Sequence, residues 1–381
     1  MHFSRLVRLL MSENMKITRI EILLVEIPYV HPFRIALAVM DRARNLVVRI
    51  HESQGLIGVG EGCPAPFLTG ETPETALFSA HDYARILLGK DPLEIQARLD
   101  ELEDKLLGNE TVRCAFDLAL HDLLAKQAGL PLYAIFGGKR QVIESNRTIG
   151  LDTPEAMAAA ALSLVQAGAG CLKVKVGTGL EADLDRVRSV RQAAGKEIPI
   201  RLDVNQAWDE TTARRALQAL AEEGIQFCEQ PLPGWNEAGL KRVRENSPIA
   251  IMADESLFNT QDAFRLASAG AVDFFNIKLG KAAGLRSALK INTIAEAAGI
   301  RCMLGGMAES LIGVSAGAHL ICACPNIDLA DLDSPFHFAV NPIQGGVDFQ
   351  PDGRVTLPEG PGHGADLKPE WLERSRRITI D

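Results

Sequence analysis

The sequence predicts an α/β protein: a (β/α)7β TIM-like barrel with an α+β capping domain. Three observations predict it. First, eight short apolar runs, near residues 145–149, 171–176, 200–204, 225–229, 249–254, 273–278, 301–305 and 328–332, alternate with helical stretches, the signature of a parallel barrel. Second, strand-like segments followed by helical periodicity fill about residues 15–135, as in a separate α+β unit. Third, residues 334–364 are rich in Pro and Gly, so the eighth outer helix is expected to be missing and the tail 345–381 to return to the first domain. A doubly wound open sheet fits less well, because no G-x-G-x-x-G follows an early strand. The expected division is a tail or alternative start at 1–14, a capping domain at 15–137 joined by 345–381, and the barrel at 138–344.

Each element has its own reason. Residues 16–29 alternate well enough for a strand, and residues 30–42, with Pro32, read as a loop. Asn45–His51 and Leu56–Glu61 read as two strands joined by the turn Glu52-Ser-Gln-Gly55. One helix should start near Thr72-Pro73, where proline suits an early helical position. Another should run from about Thr111 to Ala128 and stop at Gly129. Barrel helices are expected over Pro154–Ala167, Leu180–Ala194, Glu210–Glu223, Thr260–Ala269, Gly284–Ala298 and Ser310–Ala323.

Composition excludes several classes. The 381 residues are 47% apolar and 23% charged, with a formal net charge of −9, which argues against nucleic acid as a partner. No apolar run approaches the roughly 18 residues that span a bilayer. Arg5 and Arg8 interrupt the apolar amino terminus, so no signal peptide is expected and a cytoplasmic location is. The seven cysteines read as small buried hydrophobes in a reducing compartment, and Cys322-x-Cys324 lacks the second pair a zinc site needs.

The chemistry lies at the strand ends. Lys175, Asp203, Glu229, Asp254 and Lys278 close the second to sixth strands at spacings of 28, 26, 25 and 24 residues. Catalytic groups of such barrels sit at the carboxyl ends of the strands. Three carboxylates on adjacent strands, Asp203, Glu229 and Asp254, make a hard oxygen site for one Mg²⁺. Strands two and six oppose each other, so Lys175 and Lys278 would face each other across whatever the metal holds. Lys173 shares a face with Lys175, and a neighbouring ammonium lowers a lysine pKa toward that of a base. Asn205 would support Asp203. Two bases on opposite sides of one carbon permit 1,1-proton transfer through an enediolate, that is, racemisation or epimerisation of a carbon α to a carboxylate. Asp331 and Asp333 close the eighth strand on one face and would suit a cationic group such as an α-ammonium. Glu309, past the seventh strand, would line the pocket or cap the helix from Ser310.

Bland readings compete. A single charged strand end is more often an ordinary loop residue or ion-pair member, but five in order make that reading poor. Asp331 and Asp333 are as readily two solvated loop aspartates. Lys281 reads as structural and His319 as a satisfied core residue.

The motifs Lys-Val-Lys-Val-Gly (173–177), Asp-Val-Asn-Gln-Ala-Trp (203–208), Glu-Gln-Pro (229–231), Ala-Asp-Glu-Ser (253–256) and Asn-Ile-Lys-Leu-Gly-Lys (276–281) resemble the enolase superfamily in its muconate lactonizing enzyme subgroup. Ala119-Leu-His-Asp-Leu and Phe136-Gly-Gly-Lys extend the resemblance to nearly the whole chain from about residue 16. It implies Mg²⁺ chemistry with lysine bases, as that superfamily is known for. Asp331-Leu-Asp333 and Gly305–Ser310 look most like the dipeptide epimerases. There the Asp-x-Asp pair holds the α-ammonium and the C-terminal residue is epimerised. Thr148 and Met307 are then expected to contact substrate beside Asp331, Asp333 and Glu309. Epimerases selective for a C-terminal Glu carry an arginine in the loop between the first strands. Ala38 stands there, so an apolar C-terminal residue is expected. Gly280 and Ala282-Ala283 depart from the family's usual bulky-residue and Gly-Gly pattern, which would reshape the pocket wall. The resemblance also implies a homo-oligomer. The competing functions are an N-acylamino acid racemase, an o-succinylbenzoate synthase or a cycloisomerase with the same site, and, from another class, a non-catalytic binding protein.

Overall fold

The structure, a computed structural model, describes residues 15–381; the expectation for residues 1–14 lies outside the described residues. Eight parallel strands follow one another in sequence order: Arg147–Ile149, Leu172–Lys175, Ile200–Asp203, Ile225–Glu229, Ile251–Ala253, Phe274–Lys278, Arg301–Gly305 and Ile327–Asp331. A bridge between Ser145 and Ala330 joins the first to the last, with Asn146 N donating to Ala330 O at 3.2 Å. Helices separate successive strands, and the eighth strand is followed by a 3-10 turn, Ser334–His337, and short strands rather than an eighth outer helix, before the tail with its six-residue helix Pro369–Arg374. This is the (β/α)7β arrangement. Among the described residues no helix is long and apolar enough to cross a membrane.

A four-stranded antiparallel sheet covers the strand ends of the barrel. Its order is Arg376–Ile380, Ile17–Arg34, Val39–Glu52, Ile57–Gly62, so the tail pairs with the first strand from Ile20↔Ile380 to Leu24↔Arg376. The third strand reads Ile-Gly-Val-Gly-Glu-Gly for a packing reason. The helix Glu110–Ala128 lies directly on it, and a Cβ on Gly60 would sit 2.0 Å from Ala115 O. Only glycine allows that approach.

Two carboxylates of this sheet-and-helix unit fix it to the barrel. Asp117 accepts from Leu285 N at 2.6 Å, at the start of the helix Leu285–Ala297. Glu61 accepts from Ser310 N and Gly313 N at 3.0 and 2.8 Å, at the start of the helix Leu311–Ala323. Anions at helix amino termini satisfy otherwise unpaired N–H groups and meet the positive end of the dipole.

Three local expectations change. Residues 30–42 are not a loop: the first two strands continue as a ribbon to Arg34 and from Val39, pairing again at Phe33↔Met40. Pro32 is accommodated in the register shift between Pro28 and Phe33, where its missing N–H costs no ladder bond. The helix from Glu210 stops at Ala219 rather than Glu223, in a turn that leads to Gly224 at φ 65°. The helices Ile95–Lys105 and Glu237–Glu245, which the sequence reading did not single out, are present and short.

Candidate active site

Lys175, Asp203, Glu229, Lys278 and Asp331 are each the last residue of their strand, and Asp254 is one residue beyond its own. Strand register aligns them: Lys175 pairs with Asp203, and Asp203 with Glu229. All are buried. Lys175 Nζ lies 2.6 Å from Asp203 Oδ2 and 3.2 Å from Asn205 Oδ1. Lys278 Nζ lies 2.8 Å from Asp254 Oδ2. Both lysines line one cavity with Thr148, Lys173, Met307, Asp331 and Asp333.

Lys173 is fully buried among three carboxylates, 3.1 Å from Asp203, 2.8 Å from Glu229 and 2.7 Å from Asp331. Burial lowers its pKa, but the three anions raise it well above the ordinary lysine value. Lys278 is likewise lowered by burial and raised further by Asp254 and Glu229, ending above its ordinary value. Asp254 is pushed up by burial but pulled well below by Lys278 and Lys281. Lys281, read as structural, is fully buried and donates to the Asp254 side chain and backbone carbonyl.

Among the described residues no group of three His, Cys, Asp or Glu side chains is already arranged around a metal position; the lysine ammonium groups fill the spaces between these carboxylates. The donor set nevertheless fits a hard divalent cation. Asp203, Glu229, Asp254, Glu255, Asp331 and Asp333 are all buried, against Lys173, Lys175, Lys278 and Lys281. Two negative charges are left over, which a buried site does not tolerate uncompensated. The surplus is visible in two groups. Burial first, then Asp203, pushes Glu229 to about 7. Burial first, then Asp254, pushes Glu255 to about 8. Glu229 Oε2 and Glu255 Oε2 also lack hydrogen-bond partners, although Glu229 Oε2 is within ion-pair distance of Lys173.

The motif residues around the ligand set hold it in place. Gln230 Oε1 accepts from Asp254 N at 2.9 Å and Ser256 N at 3.2 Å. Asn276 Nδ2 donates to Glu229 Oε1 at 2.7 Å. Asn205 N donates to Asp203 Oδ1 at 3.0 Å, and Asn205 Nδ2 to Glu255 Oε1 at 3.1 Å. Asn205, Gln206, Gln230 and Ala283 have φ of 46°, 70°, 35° and 59°; backbone strain of this kind gathers where the chain must aim functional groups.

The two aspartates of the eighth strand differ. Asp331 is paired with Lys173 and accepts from Asn146 Nδ2 at 2.7 Å. Asp333 is held by neutral groups, accepting from Thr148 N at 2.5 Å and Thr148 Oγ1 at 3.1 Å. Burial raises the Asp333 pKa. Among the described residues no Lys or Arg stands within ion-pair distance of this carboxylate, and its nearest basic neighbour is His337, with Nε2 3.9 Å from Asp333 Oδ2. Thr148 and Met307 line the cavity as expected. Glu309 is not among its lining residues; it accepts from Met307 N at 2.6 Å, and burial pushes it to about 7. Ala38 is not among them either; its carbonyl closes the ribbon turn by accepting from Ile35 N at 3.0 Å.

Sequence reading missed Glu255 as a site residue and missed the aromatic wall opposite the lysines. Tyr29 stacks on Phe338 with centroids 5.5 Å apart, and Phe33 lies 4.6 Å from the ring of His337. Ala339 N donates to Pro28 O at 2.8 Å, tying the ribbon to the segment after the eighth strand. The signal available for Tyr29 and Phe33 was aromatic residues on a stretch taken for a loop. His337, four residues past Asp333, carried none.

Residues 19–137 match the family model described as mandelate racemase/muconate lactonizing enzyme, N-terminal domain, and residues 156–371 match the enolase C-terminal domain-like model. A hydrophobic dipeptide epimerase of Enterococcus faecalis is 42% identical over 352 residues, 92% of this chain and 99% of that protein. A dipeptide epimerase structure from Cytophaga hutchinsonii, complexed with Mg and D-Ala-L-Val, superposes with a TM-score of 0.95 at 38% identity, covering 96% of this chain and 100% of that one. Another from Enterococcus faecalis, complexed with Mg and L-Leu-L-Tyr, gives 0.90 at 40% identity, covering 92% and 100%.

Proposed function

Since the chain belongs to the mandelate racemase/muconate lactonizing enzyme family of the enolase superfamily, we propose that it is a Mg²⁺-dependent epimerase of dipeptides whose C-terminal residue is apolar. It is an isomerase, working by 1,1-proton transfer at the carbon α to the substrate carboxylate. The observation that carries the reading is that Lys175 and Lys278, from the second and sixth of eight strands, line one cavity together with Asp331 and Asp333.

Asp203, Glu229 and Asp254 would hold the Mg²⁺. When bound, the cation would bind the substrate carboxylate, offset the negative charge that gathers there as the α-proton leaves, and take carboxylate charge off the lysines. Lys175 and Lys278 stand on opposite sides of the reacting carbon. One accepts the α-proton and the other returns a proton to the opposite face, which inverts the centre. Lys173 offsets part of the charge shared by Asp203, Glu229 and Asp331, and keeps Asp331 in place. Asn205 orients Lys175 and Asp203. Asp333, oriented by Thr148, takes the substrate α-ammonium, with Asp331 adding negative field behind it. Glu309 acts on this site through Met307 rather than through substrate, and Ala38 leaves the ribbon without a cation for an acidic side chain.

We take the capping domain as 15–137 with 345–381 and the barrel as 138–344, the protein as cytoplasmic, and its working form as a homo-oligomer. One observation favours a second reading. Asp331 already has a cation in Lys173, so only Asp333 calls for an ammonium, and a substrate lacking one, such as an N-acylamino acid, would leave a single carboxylate unpaired rather than two. Incubation of the protein and Mg²⁺ with pooled L,L-dipeptides and N-acylamino acids in D₂O, followed by mass spectrometry, tests both. A gain of one deuteron confined to dipeptides supports epimerisation. Gain confined to N-acylamino acids moves the assignment to a racemase.

A further inference from the structure

The two lysines stand at the junction of two unequal compartments. Tyr29, Phe33, Met40, Lys175, Lys278 and Met307 line both. The smaller, about 60 Å³, runs toward Thr148, Asp331, Asp333 and His337. The larger, about 270 Å³, runs the other way beneath the ribbon, toward Ile35, Cys63, Pro64, Pro66, Phe67 and Leu68. The larger is lined chiefly by apolar side chains. The arginines on it, Arg42 and Arg44, are already paired with Glu26 and with Asp41 or Glu74.

The stereochemistry of the reacting carbon decides which part of a dipeptide enters each compartment. That carbon carries the carboxylate, the α-hydrogen, the peptide nitrogen and the C-terminal side chain. The carboxylate points to Asp203, Glu229 and Asp254, and the hydrogen to a lysine. The peptide nitrogen leads to the ammonium, hence to Asp333 and the small compartment. The C-terminal side chain is left with the large one. The small space is less than a quarter of the large one, and the peptide group and ammonium take the first part of it. His337 closes it: its ring packs on Phe33, and Nε2, buried and without a hydrogen-bond partner, stands 3.9 Å from Asp333 Oδ2.

We propose that the enzyme is selective by position: a small first residue, Gly, Ala or Ser, and a large apolar C-terminal residue such as Phe, Leu or Met, with His337 limiting the first and Ile35 bordering the second. This rests on the dipeptide epimerase reading. Ile35 lines only the larger compartment and His337 only the smaller, so the two ends can be altered separately.

The test compares sequence-reversed pairs. L-Ala-L-Phe and L-Phe-L-Ala, and likewise L-Ala-L-Leu and L-Leu-L-Ala, are incubated with the Mg²⁺ form in D₂O, and kcat/KM for deuterium gain at the C-terminal α-carbon is measured. The expected result is a preference of roughly tenfold or more for the Ala-first member of each pair, the size that a few methylenes in a fitted pocket confer. His337→Gly should raise kcat/KM for L-Phe-L-Ala relative to L-Ala-L-Phe. Ile35→Trp should lower L-Ala-L-Phe more than L-Ala-L-Ala. Equal rates within each pair, or faster exchange of the Phe-first member, would overturn the assignment of compartments while leaving the epimerase reading intact. No exchange of any dipeptide, with exchange of N-acetyl-L-Phe, would remove both.

Discussion

The rim of the barrel and the ribbon above it enclose the same cavity but are built on opposite terms. On the rim, Lys173, Asp203, Glu229 and Asp254 are at most 1% exposed and each is held by two or more named partners. On the ribbon, Val30 and Val39 are 56% and 65% exposed, and Tyr29 and Phe33 are held by ring contacts with one segment of the barrel. The rim fixes charges where a reaction needs them, and its positions follow from electrostatic necessity. The ribbon supplies shape, which many sequences can supply. Chemistry should therefore be sensitive to change on the rim, and selectivity to change on the ribbon.

The largest effect should come from the bases. Lys278→Met or Lys175→Met should cut the epimerisation rate about 10²–10⁴-fold, read by chiral chromatography of the dipeptide product. Survival of full activity in either would place the chemistry elsewhere. Next, the rim should respond to the cation as a whole. Chelation should abolish activity, and Mg²⁺ at about a hundred times its Kd should add roughly 2.7 kcal/mol of stability, seen as a rise in Tm. Asp254→Asn should blunt that rise. Recognition is expected to be smaller: Asp333→Asn should lower kcat/KM for dipeptides by about 1.5–3 kcal/mol, while N-acylamino acids, if turned over at all, should be unaffected. On the ribbon, Phe33→Ala should change KM and the rank of substrates several-fold, with a stability loss of only about 1 kcal/mol, separable by comparing kinetics with denaturant midpoints. The smallest effect belongs to rim strain. Ala283 has φ 59°, and Ala283→Gly should stabilise by about 0.5–1 kcal/mol; a loss of stability would mean its methyl group is needed for packing.

The same contrast explains what could be read from the sequence. Lys175, Asp203, Glu229 and Lys278 each end an apolar run, where a charge is costly without a partner, so the sequence must supply the partners at strand-to-strand spacing. That made the rim and the barrel legible together. Glu255 was hidden by its neighbour: directly after Asp254 it reads as part of the same motif, and the burial and adjoining carboxylates that push it to about 8 arise only in the fold. The ribbon was misread because Pro32 and exposed apolar residues look like a loop, and pairing that resumes past a register shift leaves no periodic trace. His337 reaches the site through a 3-10 turn after the eighth strand, a path no local pattern announces. The pairing of Lys173 with Asp331, 158 residues away, is a consequence of barrel closure alone.

The proposed reaction requires Lys175 and Lys278 to address opposite faces of one carbon, and stereochemically resolved exchange shows whether they do. Both epimers at the C-terminal α-carbon of an alanyl dipeptide would be incubated in D₂O with the Mg²⁺ form of the wild type, Lys175→Met and Lys278→Met, and the α-proton followed by NMR. The wild type should exchange and interconvert both epimers. Each variant should exchange one epimer at most at a wild-type-like rate, a different one in each case, with interconversion slowed at least about a hundredfold. Interconversion in either variant faster than about a hundredth of the wild-type rate, or loss of exchange for the same epimer in both, would contradict it.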